Sequence, residues 1–329
     1  MNREVLPIAQ CDVHDRKALQ AYRSKRDEWI GWLSGDSEND VWTQLSRMTW
    51  NDAVFRLINE GLRLADHSQQ LCAIHNRMLI DFALEGYLAN QVLAVRRLLD
   101  KRDDVNSLYR LVQDIEKSRP LITRENYVAF DGVPYDSEPG QQRAMERALR
   151  RKDAGEGAFE WLPTTGSEDW VTSGVRHTMF DRLSREGSRS RSDLIDPSVL
   201  DRLRQMVDRA RYREFITIAN KFLAHAADKK SRRGLMRRDI AATLNLIQDA
   251  HKNLLSACHV LSVAVIDYAD RSWLAVAQYN KLENLDKSWV PSHTIEQLHE
   301  WWDGHERKLR GWRQGAVDLV LESEIEVGP

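Results

Sequence analysis

Apolar residues recur at spacings of three and four through one long stretch after another, and this pattern restricts the chain to an all-α fold. Residues 239–268 show it well. Ile240, Leu244, Ile247, His251, Leu254, Cys258 and Leu261 fall on one face of a helix there. No alternation of apolar and polar residues persists beyond a few positions, so no strand is expected.

Capping residues and breakers divide the pattern into elements. Asp15 is placed to cap a helix that runs to about Leu33, where Ser34-Gly35-Asp36 breaks it. A second helix is predicted over 38–48. A third starts from Thr49 or Asn51 and carries Val54, Leu57, Ile58, Leu62 and Ala65 at helical spacing. The longest uninterrupted pattern of the amino-terminal half is 68–101. Leu71, Ile74, Leu79, Phe82 and Leu88 are its expected core contacts, and Gly86 is the expected point of close approach by a neighbour. Asp103 or Asp104 is predicted to cap the next helix, which Pro120 stops.

Turn chemistry then takes over in Asp131-Gly132-Val133-Pro134 and Pro139-Gly140. Residues 123–166 are expected to form an irregular excursion on the bundle that carries only a short basic helix at 141–152. Helix resumes over 168–185, and residues 187–192 form a basic flexible connection. The last helix is predicted from Ser292 to about Val317. It is rich in tryptophan, and Trp301, Trp302 and Trp312 are expected to pack against the bundle rather than face a partner.

One stretch combines helix geometry with acid–base chemistry. Asp196 and Pro197 give a helix start, and no glycine or proline follows until Gly234, so a helix is predicted to run through 228. Phe215, Ile218 and Phe222 share a face. Lys221, His225 and Asp228 form a ridge beside it, with Glu214 two turns upstream on about the same line. The residues alone leave two readings open: an imidazole buried for structure, or an acid–base group. Lys229, Lys230, Arg232 and Arg233 follow at once, either as a solvated turn or as a phosphate-binding patch. Arg96 and Arg97 have the same two readings, dipole-stabilising cations at a helix end or phosphate contacts.

The string Asn220-Lys221-Phe222-Leu223-Ala224-His225 resembles the signature of AbiU-type abortive-infection proteins, helical bundles of the HEPN superfamily. Residues 95–100 and 107–111 resemble the paired helices that precede the signature. The resemblance implies an antiparallel HEPN-like bundle and a metal-independent endoribonuclease acting in phage defence or toxin-like growth arrest. It implies His225 as the general acid or base, with Lys221 and Asn220 holding phosphate or water, in a composite site between two copies of a homodimer. RNA and an antitoxin or defence protein are its expected partners. The superfamily motif separates an arginine from the histidine by four to six residues. Those positions here are Ile218, Ala219 and Asn220, with Ala219 in the arginine's place, so the implied enzyme is impaired as written. A non-catalytic dimerisation or partner-binding module is the other reading.

Composition sets bounds around both. Forty-eight basic and fifty acidic residues leave a net charge of −2, so nucleic acid would have to be held by local patches. Three scattered cysteines suggest neither a disulfide framework nor a metal site, and a reducing cytoplasm fits them. No cofactor or metal is expected. The first residues lack the apolar core of a secretion signal, and no membrane span is read from the sequence. The expected organisation is an amino-terminal arm and helix over 1–35, a bundle over 36–275 and a carboxyl-terminal helical extension over 276–329.

Overall fold

The computed structural model describes residues 5–36, 38–67, 76–156, 166–185, 189–208, 212–213, 217, 244–269, 271–274, 276–285, 287 and 292–321. Among these, the regular structure is helical. Ten α-helices are joined by short 3-10 turns, and the only β feature is an isolated antiparallel bridge between Thr123 and Leu194. The helices are α1 (Arg16–Ser34), α2 (Val41–His67), α3 (Arg77–Leu98), α4 (Leu108–Lys117) and α5 (Arg124–Ala129). They continue with α6 (Glu138–Asp153), α7 (Trp170–Ser184), α8 (Pro197–Met206), α9 (Leu244–His259) and α10 (Ile295–Leu321). The chain divides into two compact units, one of residues 1–56 and 84–275 and one of residues 57–83 and 276–329.

The first unit holds the core. Asp15 caps α1 as expected, its carboxylate accepting from the Lys17 and Ala18 amides at 2.9 Å. This orients Leu19, Tyr22, Trp29 and Leu33 inward. They pack with Leu108, Leu111, Val112 and Ile115 of α4 and with Tyr127 of α5 in one cluster. The Trp29 indole donates to Asp114 at 2.7 Å, which satisfies a polar edge that burial would otherwise penalise. Of the predicted seam of α9, Ile247, His251, Leu254, Cys258 and Leu261 are buried, while Ile240 and the Leu244 side chain lie outside the described residues. A π-helical turn, Val260–Val265, continues it.

Several sequence expectations are corrected here. The helices predicted over 38–48 and from Thr49 are one helix, α2. Thr49 Oγ1 bonds back to the Leu45 carbonyl one turn earlier, so the hydroxyl decorates the helix instead of capping a new one. The 68–101 helix starts at Arg77, where Asn76 accepts from the Met78 and Leu79 amides; residues 68–75 lie outside the described residues. Phe82 is 78% exposed rather than core, and Gly86 has no neighbour close enough to need its missing side chain. Ser107, not Asp103 or Asp104, caps α4. The excursion at 123–166 is not irregular where it is described. All six residues of α5 are buried, and α6 runs for sixteen residues from a proline-marked start. Gly140 of α6 lies so close to Trp170 that a Cβ there would fall 2.7 Å from it.

The long central helix is also shorter than predicted. Asp196 caps it as expected, accepting from Ser198 at 2.7 Å, but it ends at Met206. Tyr212 folds back to donate to the Met206 carbonyl at 2.8 Å, occupying a helix-end acceptor.

In the second unit, α10 is the principal element. Trp301 and Trp302 do not pack inward as expected, and the Trp312 side chain lies outside the described ones. Trp301 is 63% and Trp302 55% exposed. By length and composition α3 alone among the described helices could cross a bilayer, but Tyr87, Val92, Val95 and Leu98 of its carboxyl-terminal half are core residues of the first unit.

Candidate functional site

The first unit carries three polar constructions. The deepest is an ion network on α5 and α7. Arg176 is 2% exposed, and each guanidinium nitrogen is engaged. Nη1 and Nη2 donate to the two Asp131 oxygens at 2.7 and 2.8 Å, Nε to Asp267 at 2.7 Å, and Nη1 also to the Val128 carbonyl. Burial alone would raise the Asp131 pKa, but the hydrogen bonds and charge of Arg176 outweigh it and hold the carboxyl below its ordinary range. Arg124, fully buried, donates to Asp193 at 2.8 Å, to Asp181 at 2.6 Å and to Ser184 at 3.1 Å. His177 lies beside them with Nε2 at 2.7 Å from the Tyr135 carbonyl and Nδ1 buried without a hydrogen bond. Burial lowers its pKa and favours the neutral ring. Every cation here is matched inside the fold, so this network positions chain segments.

A second cluster joins α2, α3 and α9. Asp52 accepts from the Tyr87 hydroxyl at 2.6 Å and from Arg56 at 2.7 Å. His251 Nε2 lies 2.8 Å from Gln91 Oε1, and its Nδ1 is 4.0 Å from Asp52. Desolvation lowers the His251 pKa against the opposing pull of Asp52. The sequence places His251 on the buried seam of its helix, and no group of three metal-ligating side chains occurs among the described residues.

The third construction is open. Along α2, Trp42, Arg47 and Trp50 line a groove of about 430 Å³, closed on its other side by Arg271 and Trp273. The volume lies in the range of small-ligand pockets. Thr43, Ser46, Asn51 and Ser272 add hydroxyl and amide groups, and no lining residue is acidic. Trp42 is the buried floor, stacked on Tyr268 with ring centroids 5.5 Å apart and planes 16° from parallel. The Arg271 guanidinium sits 4.1 Å from the Trp42 ring centroid, a cation–π contact that fixes the charge at the groove's edge. Thr49 Oγ1 binds the Trp273 carbonyl and ties that wall to α2. Trp50 and Trp273 are half-buried and line the groove. A flat aromatic ligand with a negative group fits this chemistry: indole faces to stack on, two guanidiniums for the charge and short polar side chains for the edges.

The sequence-predicted catalytic residues Asn220, Lys221 and His225 lie outside the described residues, as do Ala219, Asp228, Glu214, Lys229, Lys230, Arg232 and Arg233. Arg96 and Arg97 are the two predicted phosphate contacts that are described. They occupy the last turn of α3, where cations complement the helix dipole, and neither lines the groove. The sequence reading missed the groove because its parts are separated by more than two hundred residues. One local signal existed: Trp42, Arg47 and Trp50 sit within nine residues on a single helix. Arg124, Arg176 and Asp131 gave no signal, since isolated charges in a chain that is 30% charged look like surface. No family model, curated protein or solved structure matches the chain.

Proposed function

We propose that this protein binds single-stranded RNA, seating a base against Trp50 and Trp273 with its phosphates toward Arg47 and Arg271. The observation that carries the reading is the groove, where stacking surface and cations converge with no opposing carboxylate. Aromatic faces accept any base, and arginine supplies the sequence-independent attraction to phosphate. On this reading the chain is a HEPN-type ribonuclease scaffold of the kind its 220–225 string resembles, acting in phage defence or growth arrest. His225 would serve as acid or base, because imidazole titrates near neutrality. Ala219 leaves the phosphorane without one cation, and loss of a comparable charge-stabilising donor lowers rates by about 10²–10³. RNA is therefore bound and cleaved weakly at most.

The non-catalytic module is the second reading, and Ala219 favours it. It predicts no dependence on the groove. The test is a titration of a labelled oligouridine by the full chain and by Trp50→Ala. Loss of one stacked base removes about 1–3 kcal/mol, roughly a 5- to 150-fold weakening. Equal affinity of both proteins, or no binding by either, rejects the proposal. In the same assay, Ala219→Arg is expected to add cleavage of the bound RNA, and intact RNA with that variant rejects the nuclease half.

A further inference from the structure

We infer that Asp267 is a positioning residue for the groove, setting the segment that brings Arg271 and Trp273 against α2; its consequence for RNA rests on the reading above. Asp267 follows the π-helical turn with φ at +50°. Left-handed backbone is disfavoured for most L residues, and aspartate and asparagine tolerate it best after glycine. Two arginines hold the turn from different helices. Arg176 of α7 donates Nε to the Asp267 carboxylate at 2.7 Å. Arg26 of α1 donates Nε to the Ile266 carbonyl at 2.9 Å and Nη2 to the Asp267 carbonyl at 2.8 Å. Both guanidiniums also lie over the Phe130 ring, at 3.9 Å for Arg26 and 4.2 Å for Arg176, which fixes the two donors in place.

The chain beyond this anchor builds one side of the groove. Tyr268 donates its amide to the Ser262 carbonyl at 2.9 Å, sets its hydroxyl 3.1 Å from Ser34 Oγ and stacks on Trp42. Arg271 then reaches the Trp42 ring, and the Trp273 carbonyl takes the Thr49 hydrogen bond. Among the described residues the Arg271 guanidinium has no carboxylate partner, so the backbone that delivers it and the Trp42 ring decide where its charge stands. Asp267 itself does not line the groove. It acts through Arg271 and Trp273.

The tether can be cut without stranding a charge. Arg176 also holds both oxygens of Asp131, so it stays paired when the Asp267 carboxylate is removed. What is lost is the fixed direction in which the chain leaves the π turn.

Oligouridine titration and amide exchange of the full chain test this. Asp267→Ala is expected to weaken binding roughly 5- to 150-fold, the loss of one stacked base, and to flatten the salt slope by about 0.7, one phosphate contact. Asp267→Asn keeps an acceptor for Arg176 and suits the same backbone, so it is expected to recover most of that loss. In an Arg271→Ala/Trp273→Ala background, Asp267→Ala is expected to cost nothing further. A further loss in that background, or full affinity of Asp267→Ala for an RNA that the wild type binds, overturns the inference and leaves RNA binding standing. The second measurement needs no RNA. Exchange of the Tyr268 amide is expected to quicken about tenfold or more in Asp267→Ala, as a hydrogen bond to a charged group is lost, with α9 unchanged. Unchanged exchange there overturns the positioning role whether or not RNA binds. Faster exchange in a protein that binds no RNA rejects the RNA reading alone and upholds the positioning.

Discussion

Arg176 is a cation with nowhere to go. Its guanidinium holds Asp131 on α5's trailing loop and Asp267 beyond the π turn, so one side chain of α7 fixes two distant segments. Removing one partner of a buried pair leaves an unmatched charge, which costs about 3–5 kcal/mol. Arg176→Ala is expected to lower the urea midpoint accordingly, and an unchanged midpoint would show that the network contributes nothing. The pH dependence follows from direction alone. Asp131 and His177 both have folded pKa values below their ordinary 3.8 and 6.5. Folding therefore binds fewer protons, and stability present above each ordinary value is lost as pH falls toward the folded one. Unfolding free energy should decline first as pH drops below 6.5, from His177 and from His251, whose ring is likewise held neutral by burial, and again below 3.8, from Asp131. The first decline should shrink in His177→Gln and in His251→Gln, each variant removing the part that its own ring contributes.

At the scale of elements, what could be read from the sequence was local. The α1 and α8 starts and the α9 seam depend on residues within a turn or two of each other, and Asp15, Asp196 and the Ile247–Leu261 spacing announced them. What was missed depends on partners far along the chain. Thr49 could cap or decorate a helix, and only its setting decides which. Helix α5 follows a proline and precedes turn residues, yet Asp181, Asp193 and the Arg191 carbonyl provide for its buried charges and amides. Ser107 outcompetes Asp103 and Asp104 because its hydroxyl donates to the Asp100 carbonyl at 2.6 Å while accepting from Arg110. Ser107→Ala removes both bonds, and a helix cap alone is worth about 1 kcal/mol. The variant should unfold at lower urea, whereas Asp104→Ala should not. Equal stability of the two would place the start of α4 elsewhere.

Over the whole molecule, a net charge of −2 means that no general field draws in a polyanion. Attraction must come from particular arginines, and the groove between Trp50 and Trp273 has two. Of the residues the sequence nominated for chemistry, the described ones, Arg96 and Arg97, lie in the last turn of α3, while the groove assembles from residues 42–51 and 271–273, which no local pattern links. The salt dependence of oligouridine affinity, measured for the wild type and for Arg47→Ala/Arg271→Ala, tests this most directly. Two phosphates neutralised on a single strand give a slope of log affinity against log salt of about −1.4. The wild type should show at least that, and the double variant should be flatter by about the same amount and weaker at low salt. Identical slopes and affinities for the two proteins would contradict the account.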